Sequence, residues 1–459
     1  MGSSAQGSTP SSSPLSRWSA LGEGSRLLLS GAEVTVVELD LRRPVGTAVG
    51  SHRRRPVVMV RLVAEGPGGR TVGWGECAAL ADTTFDTEDA DGAFKTLTQD
   101  LLPRLNSASN PENSASNPEN SGSTPETARE SLETAPGAVS LPGPSSLAQR
   151  VRPAGVPLAF AALEMAVADV HLRASGISLA EVLGVTGGNA PESESQESIP
   201  RDPDHPDRIS VPVGAVVGTT GSVETLLAQV DEQVDAGFVR VKLKIGPGWD
   251  VVPVTAVRRR HPDLMLQVDA NGSYSRTDVT HLTELDGLDL ACIEQPFASD
   301  DLEGHALLAR SMRTPVCLDE SLYSPDSVRS ALAMGACEVV CVKPGRLGGL
   351  TAALEVYRDC AGTRDSTGTP LWVGGMFESG YARAVNTALA ALPGFVLPGD
   401  LAPAATYLTE DLVSAPLVDR QGPDGRLRVA VHLAPGLAPA PDHEVLARRT
   451  VSSWSWSAG

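Results

Sequence analysis

Of the 37 Lys and Arg residues in this 459-residue chain, only Lys95, Lys242, Lys244 and Lys343 are lysine, which leaves 33 arginines. Arginine keeps its proton at any working pH, whereas a lysine that is buried or crowded by other charges can release its own. Three of the four lysines sit in two apolar runs, Val239-Arg240-Val241-Lys242-Leu243-Lys244-Ile245 and Val339-Val340-Cys341-Val342-Lys343-Pro344. Lysines in such places have the character of proton-transfer groups; the plainer reading is ion pairs at strand ends. Carboxylates fall between them at a regular interval. From Lys244 to Asp269, Glu294, Asp319 and Lys343 the steps are 25, 25, 25 and 24 residues. One strand–helix unit per step sets one group on each of five successive strands, all facing one cavity.

Three carboxylates brought together in that way repel one another and resist burial unless a cation sits among them. An all-oxygen set favours a hard divalent ion, Mg²⁺ first, with Mn²⁺ as a substitute. A substrate carboxylate on that ion would have a lysine on each side, Lys244 on one and Lys343 on the other. The chemistry this suits is removal of a proton α to a carboxylate, with the metal stabilising the enediolate. Lys242 shares the strand face of Lys244 by the two-residue period, and its charge favours a Lys244 able to act as a base. Asn271 and Glu320 are expected to support the ligands rather than to bind the ion. Cys292 and Cys341, two residues before Glu294 and Lys343, read as barrel-interior filler. Taken singly, each carboxylate is an ordinary helix cap or surface charge; the joint pattern is what is specific.

The elements that must position these groups follow from hydrophobic period. Between about 210 and 400, eight short apolar runs begin near Ile209, Val239, Leu264, Leu290, Thr314, Cys337, Pro370 and Phe395, with helical stripes such as Val223, Leu227, Val230 and Val234 between most of them. Eight alternating β and α units predict a closed parallel barrel. The alternative is an open doubly wound sheet, weakened by the lack of a glycine-rich phosphate fingerprint after the first strand. Before the barrel, Val34–Leu39, Pro56–Val63 and Thr71–Glu76 read as antiparallel hairpin strands. Pro157–Ala174 reads as a helix with Phe160, Leu163, Val167 and Val170 on its apolar face.

The expected organisation is a disordered leader over 1–28, a capping domain over 29–156, the barrel over 157–400, and a segment over 401–459 that completes the cap and ends in disorder. Low-complexity insertions are expected at about 106–150, where SASNPEN occurs twice in tandem, and at about 189–208. The net charge of −19 argues against nucleic acid or a membrane surface as partner. Six cysteines without CxxC or finger spacing point to a reducing compartment. The first 26 residues lack the long apolar stretch of a signal peptide, and no run of 18 apolar residues predicts a membrane span. A cytoplasmic location is expected.

The stretches Val241–Lys244, Gln267–Asn271, Ile293–Pro296, Cys317–Ser321, Lys343–Arg346 and Gly374–Gly380 resemble the enolase superfamily, in its muconate-lactonising branch. Together with Trp74–Cys77 and Ala162–Ala166 they are most similar to the o-succinylbenzoate synthase and N-succinylamino acid racemase family. The resemblance covers about 30–105 and 150–440. It implies an α/β fold: a (β/α)₇β TIM-like barrel with an α+β cap built from the N-terminal segment and the C-terminal tail. It implies Asp269, Glu294 and Asp319 as Mg²⁺ ligands, Lys244 as base with Lys242 supporting it, and Lys343 as the second acid/base. Arg346, three residues after Lys343, is placed to tune that lysine. Gly375 and Met376 join Asn271, Glu320 and Arg346 as supporting or substrate-touching residues. Pro44–Pro56 and the stretch after Cys77 are expected to supply lid residues, without assigned roles. The implied reaction is dehydration of a cyclohexadiene carboxylate to 2-succinylbenzoate in menaquinone biosynthesis, with racemisation of N-succinylamino acids open to the same site. Within the superfamily, dipeptide epimerase and muconate cycloisomerase are alternatives. From other classes, a Schiff-base lyase using Lys343 and a non-catalytic binding barrel remain. The partner is a small-molecule carboxylate, and the resemblance implies a homo-oligomer.

Overall fold

The computed structural model describes residues 13–47, 50–83, 86–107, 139–151, 155–186, 209–361, 368–414, 418–419 and 425–458. Seven parallel strands follow one another in spatial order: Gly214–Val217, Arg240–Lys244, Met265–Asp269, Leu290–Glu294, Val316–Leu318, Val339–Val342 and Leu371–Val373. The gap between the last and the first is closed by the segment 394–400. Leu371 N donates to Gly394 O at 2.9 Å, Asp400 N to Val373 O at 2.9 Å, and Gly214 N to Gly399 O at 2.8 Å. This segment is the eighth apolar run, too irregular to form a full ladder, and it makes the barrel a (β/α)₇β one. The first run divides: Ser210–Pro212 leaves the barrel to pair with Arg428–Ala430 of the tail.

The cap is an antiparallel sheet of Leu28–Thr47, Gly50–Gly66 and Gly69–Cys77. Its far edge is filled by Thr450–Ser457, paired with the first strand from Gly31↔Ser457 to Val37↔Thr450. The expected disordered C-terminal end is therefore a strand. Alternation drives it, since Trp454 and Trp456 both turn toward the cap core.

The expected disordered leader is likewise corrected from Ser13 onward. Ser13 caps a helix at Pro14–Ala20, and Trp18 is fully buried, its Nε1 donating to Thr351 Oγ1 of the barrel at 2.8 Å. Arg17 reaches the carbonyls of Val182 and Leu183 at 2.6 and 2.8 Å, at the C-terminal end of the helix Leu179–Leu183. One large aromatic and one arginine anchor a segment whose average composition looks disordered. The SASNPEN copies, but for Ser107, and the 189–208 stretch lie outside the described residues. The flanks of the first insertion are ordered, with helices at Leu102–Ser107 and Pro144–Val151.

The helix Pro157–Ser175 joins cap to barrel. Its Phe160, Leu163, Val167 and Val170 face the cap core as the stripe predicts. The opposite side is not solvated: Met165, Ala168 and Leu172 enter the barrel core, and every residue from Leu158 to Leu172 is buried. The third cap strand lies almost in contact with the helix backbone. A Cβ on Gly75 would sit 1.9 Å from Ala162 O, and one on Gly73 2.4 Å from Val170 N. Buried carboxylates then fasten the layers by accepting amides at helix N-termini. Glu76 of the cap accepts from Ser379 N (2.8 Å) and Ala382 N (3.1 Å) of a barrel helix. Glu164 accepts from Leu350 N at 2.5 Å, and Glu88 from Leu158 N at 2.6 Å.

Gly75→Ala is expected to destabilise the protein by about 3 kcal/mol or more, because two backbones must separate to admit one methyl group. Thermal or urea unfolding checks this; a stability change within about 0.5 kcal/mol would contradict so close a contact.

Candidate active site

The barrel presents its charged residues at one mouth because the second to sixth strands each end in one or are followed directly by one. Lys244, Asp269 and Glu294 close the second, third and fourth strands and are ladder neighbours, Lys244↔Asp269 and Asp269↔Glu294. Asp319 and Lys343 follow the fifth and sixth strands directly. Two positive-φ residues shape the turns after the carboxylates, Asn271 (φ 44°) and Gln295 (φ 41°). Gln295 then organises its neighbour strand: Asp319 N and Ser321 N donate to its Oε1 at 3.0 and 3.3 Å.

Charges interleave across this mouth. Lys244 Nζ lies 2.7 Å from Asp269 Oδ2 and 2.6 Å from Asn271 Oδ1. Asn271 passes the contact on, donating to Glu320 Oε1 at 2.8 Å. Lys242 Nζ lies 3.0 Å from Glu294 Oε2, 3.3 Å from Asp269 Oδ2 and 2.8 Å from Asp400 Oδ2, with the Trp372 ring face 4.8 Å away. Lys343 Nζ lies 2.7 Å from Asp319 Oδ2, whose other oxygen receives Arg346 Nη1.

Burial alone would strip Lys242 of its proton, but Asp400, Glu294 and Asp269 hold it well above the ordinary lysine range. It is a fixed cation, and its charge is already balanced by three carboxylates. Burial and the Arg346 charge oppose the Lys343 proton; Asp319, together with Cys341 and Glu320, more than offsets them and keeps that ammonium above its usual value. Burial, reinforced by the charge of Asp269, pushes Glu294 up to about 8 against the pull of Lys242. Asp319 moves the other way: Arg346 and Lys343 outweigh its burial and hold it well below the carboxylate range.

The carboxylate set fits a hard divalent ion. Glu294, Asp319 and Cys341 bring ligand atoms within 4.8 Å of one another, and a cation among them would offset the burial and the Asp269 charge that raise Glu294. Asp269 stands beside that group in the row, its Oδ2 turned toward Lys244 and Lys242 and its Oδ1 accepting from Asn271 N at 3.0 Å. Cys341, a soft donor, belongs to the interior cluster of Cys292, Cys317 and Trp372, as the filler reading expects.

Every residue expected to serve the site except Glu294 lines one cavity of about 670 Å³, namely Lys242, Lys244, Asp269, Asn271, Asp319, Glu320, Lys343, Arg346, Gly375 and Met376. Glu294 lies beneath its floor, fully buried. Lys244 is the most open of the lysines here, 30% exposed. The seventh-strand loop must be glycine: a Cβ on Gly374 would sit 2.6 Å from Lys343 Cε, and one on Gly375 2.7 Å from Asp400 O. Three groups escaped the sequence reading. Asp400 ends the irregular eighth strand and pairs with both Lys242 and Arg240. Arg240 also donates to Gln267 at 3.0 Å, and Gln267 to Glu294 at 2.8 Å. Buried Arg55 of the cap donates to carbonyls of Ala78 (2.6 Å), Met376 and Phe377 (both 3.2 Å), tying the cap loop to the barrel loop. Asp400 had a signal, a lone carboxylate at the end of an apolar run; Arg55 lies in the Pro44–Pro56 stretch expected to supply lid residues, but nothing sets it apart from Arg53 and Arg54 beside it.

A profile of the family described as Enolase C-terminal domain-like matches residues 225–445. N-succinylamino acid racemase from Amycolatopsis sp is 37% identical over 419 residues, covering 91% of this chain and 96% of that protein. The o-succinylbenzoate synthase of Bacillus subtilis is 32% identical, covering 89% and 93%. The chain belongs to the o-succinylbenzoate synthase and N-succinylamino acid racemase family of the enolase superfamily. A crystal structure of an enolase superfamily member from Listeria innocua superimposes with a TM-score of 0.75 at 30% identity, covering 94% of this chain and all of the other. The cap-plus-barrel architecture read from the sequence is that of this superfamily.

With Glu294 near 8, a divalent ion that enters at pH 7 must displace a proton. Mg²⁺ binding is expected to release close to one proton per ion at pH 7 and to tighten as pH rises toward 8, levelling off above it. Calorimetry in buffers of different ionisation enthalpy measures this. Proton-neutral binding at pH 7 would contradict a protonated Glu294 in the metal-free site.

Proposed function

We propose that this chain is a Mg²⁺-dependent enzyme that removes a proton α to a carboxylate, acting as an o-succinylbenzoate synthase and, at the same site, as an N-succinylamino acid racemase. The observation that carries this reading is the pairing of Lys244 with Asp269 and of Lys343 with Asp319 on the two flanks of one carboxylate row, both lysines open to one cavity. Relatives named for both reactions support the substrate class. Asp269, Glu294 and Asp319 would hold the ion, and Mn²⁺ would serve in place of Mg²⁺. The chemistry such an ion supplies is compensation of negative charge on the substrate carboxylate.

The chain's own residues do the rest. In 2-succinyl-6-hydroxy-2,4-cyclohexadiene-1-carboxylate, Lys244 Nζ takes the proton from the carbon bearing the carboxylate. The ring hydroxyl departs, and with that proton it makes up the water lost, leaving 2-succinylbenzoate. Lys343, kept protonated beside Asp319, stands on the other flank as a fixed cation. In racemisation that proton is delivered to the face opposite Lys244. Lys242 holds positive charge beneath the row throughout. The Arg55 tie seats the cap loop over the mouth and keeps bulk water from the proton in transit. A Schiff-base role for Lys343 has less support, because it leaves the buried carboxylate row of Asp269, Glu294 and Asp319 with no part in the reaction.

The test is loss of the cyclohexadiene absorbance with Mg²⁺ and with EDTA. Turnover is expected with the ion and none with the chelator; turnover that survives EDTA would overturn the metal requirement. Lys244→Arg keeps the charge and removes the base, and is expected to cost about 10³-fold or more in kcat. Near-normal dehydration in that variant would exclude Lys244 as the base.

A further inference from the structure

Asp86 stands on the cap loop that follows Cys77, in no motif that carries the family resemblance. Its carboxylate receives one side of Arg346: Oδ1 lies 2.8 Å from Nε and Oδ2 3.3 Å from Nη2. The remaining end of the same guanidinium, Nη1, donates to Asp319 Oδ1, while Lys343 Nζ holds Asp319 Oδ2 at 2.7 Å. Arg346 thus bridges a carboxylate of the cap and a carboxylate of the barrel. All three side chains are nearly enclosed, 4% exposed for Arg346, 9% for Asp86 and 4% for Asp319. In such a place a guanidinium is fixed by the carboxylates it forks onto, and the fork geometry makes each contact directional.

We propose that Asp86 is a positioning residue that acts through Arg346. By taking one side of the guanidinium it keeps Arg346 from closing wholly onto Asp319, so the seating of the cap loop sets how available Asp319 is to a divalent ion. The inference rests on the metal-dependent reading given above. Without the Asp86 charge, Arg346 remains enclosed beside Asp319 and competes with the ion for its oxygens. With the loop seated, the arginine is shared, and Asp319 is presented to the ion as part of the row. Metal site and cap are then coupled by a single side chain, which gives the cap loop an influence on the barrel floor besides excluding water.

The measurement is Mn²⁺ binding to the full-length protein, read from the EPR signal of the free ion. Asp86→Asn is expected to weaken Mn²⁺ binding about tenfold, the lower end of what loss of a partner outside the ligand set costs. Asp86→Glu, which keeps the charge, is expected to recover most of that loss. In an Arg346→Met background, Asp86→Asn is expected to change nothing, because the group it acts through is gone. Unchanged affinity in Asp86→Asn would overturn the inference. So would a tenfold loss that persists in the Arg346→Met background, which would mark a general field of Asp86 on the ion rather than positioning. Wild-type protein that binds no Mn²⁺ would overturn the metal-dependent reading and this inference together, so the wild type alone tells the two failures apart.

Discussion

Charge balance in a buried barrel mouth is the constraint on which this structure turns. Asp269, Glu294 and Asp319 are each almost fully enclosed, and isolated carboxylates in such a place would be too costly to keep ionised. The structure meets that cost with cations placed one against each: Lys244 at Asp269, Lys242 at Glu294, and Lys343 with Arg346 at Asp319. A further pair, Asp400 and Arg240, backs Lys242 from below. The balance stays incomplete at Glu294, and that deficit is where a divalent ion would bind. The two lysines left at the edges of the row differ in character. Lys343 is locked to Asp319, and Lys244 is more exposed and shares its contact with a neutral amide. That asymmetry suits the proposed dehydration, in which one group accepts the proton and the other holds charge.

The cap is bound to this arrangement by the same physics on a larger scale. Glu76, Glu88 and Glu164 each give a buried carboxylate to the amides of a helix N-terminus, so the layers are joined where helix dipoles and orphan N–H groups would otherwise go uncompensated. Gly73 and Gly75 let the third cap strand lie against the backbone of the joining helix. The Trp74–Cys77 and Ala162–Ala166 stretches thus owe their residue types to one joint. Through Arg55 and Asp86, the joint extends to the loops around the cavity.

Much of this was legible in the sequence, and the reason is specific. The second to sixth barrel strands are short apolar runs that end in a charge or run straight into one, so spacing alone ordered Lys244, Asp269, Glu294, Asp319 and Lys343 around one mouth. The helix stripe Phe160, Leu163, Val167 and Val170 was readable because one face meets the cap; the other face, with Met165, Ala168 and Leu172, has too few large side chains to mark a second stripe. Asp400 was missed although it is a lone carboxylate at the end of an apolar run, because Pro398 and Gly399 break the run just before it. The Asp86–Arg346 pair was beyond reach because its partners are 260 residues apart. The leader and tail misled by composition: serine-rich stretches looked disordered, while Trp18, Trp454 and Trp456 supply enough buried surface to fix them.

The central claim is that two lysines address opposite faces of one substrate carbon. Exchange of the α-proton of an N-succinylamino acid in D₂O, followed by NMR for each enantiomer with Mg²⁺ present, tests it most directly. The account predicts that Lys244→Arg abolishes exchange from one enantiomer and leaves it in the other, and that Lys343→Arg does the reverse. If either variant exchanges both enantiomers at the wild-type rate, the two-lysine geometry is wrong.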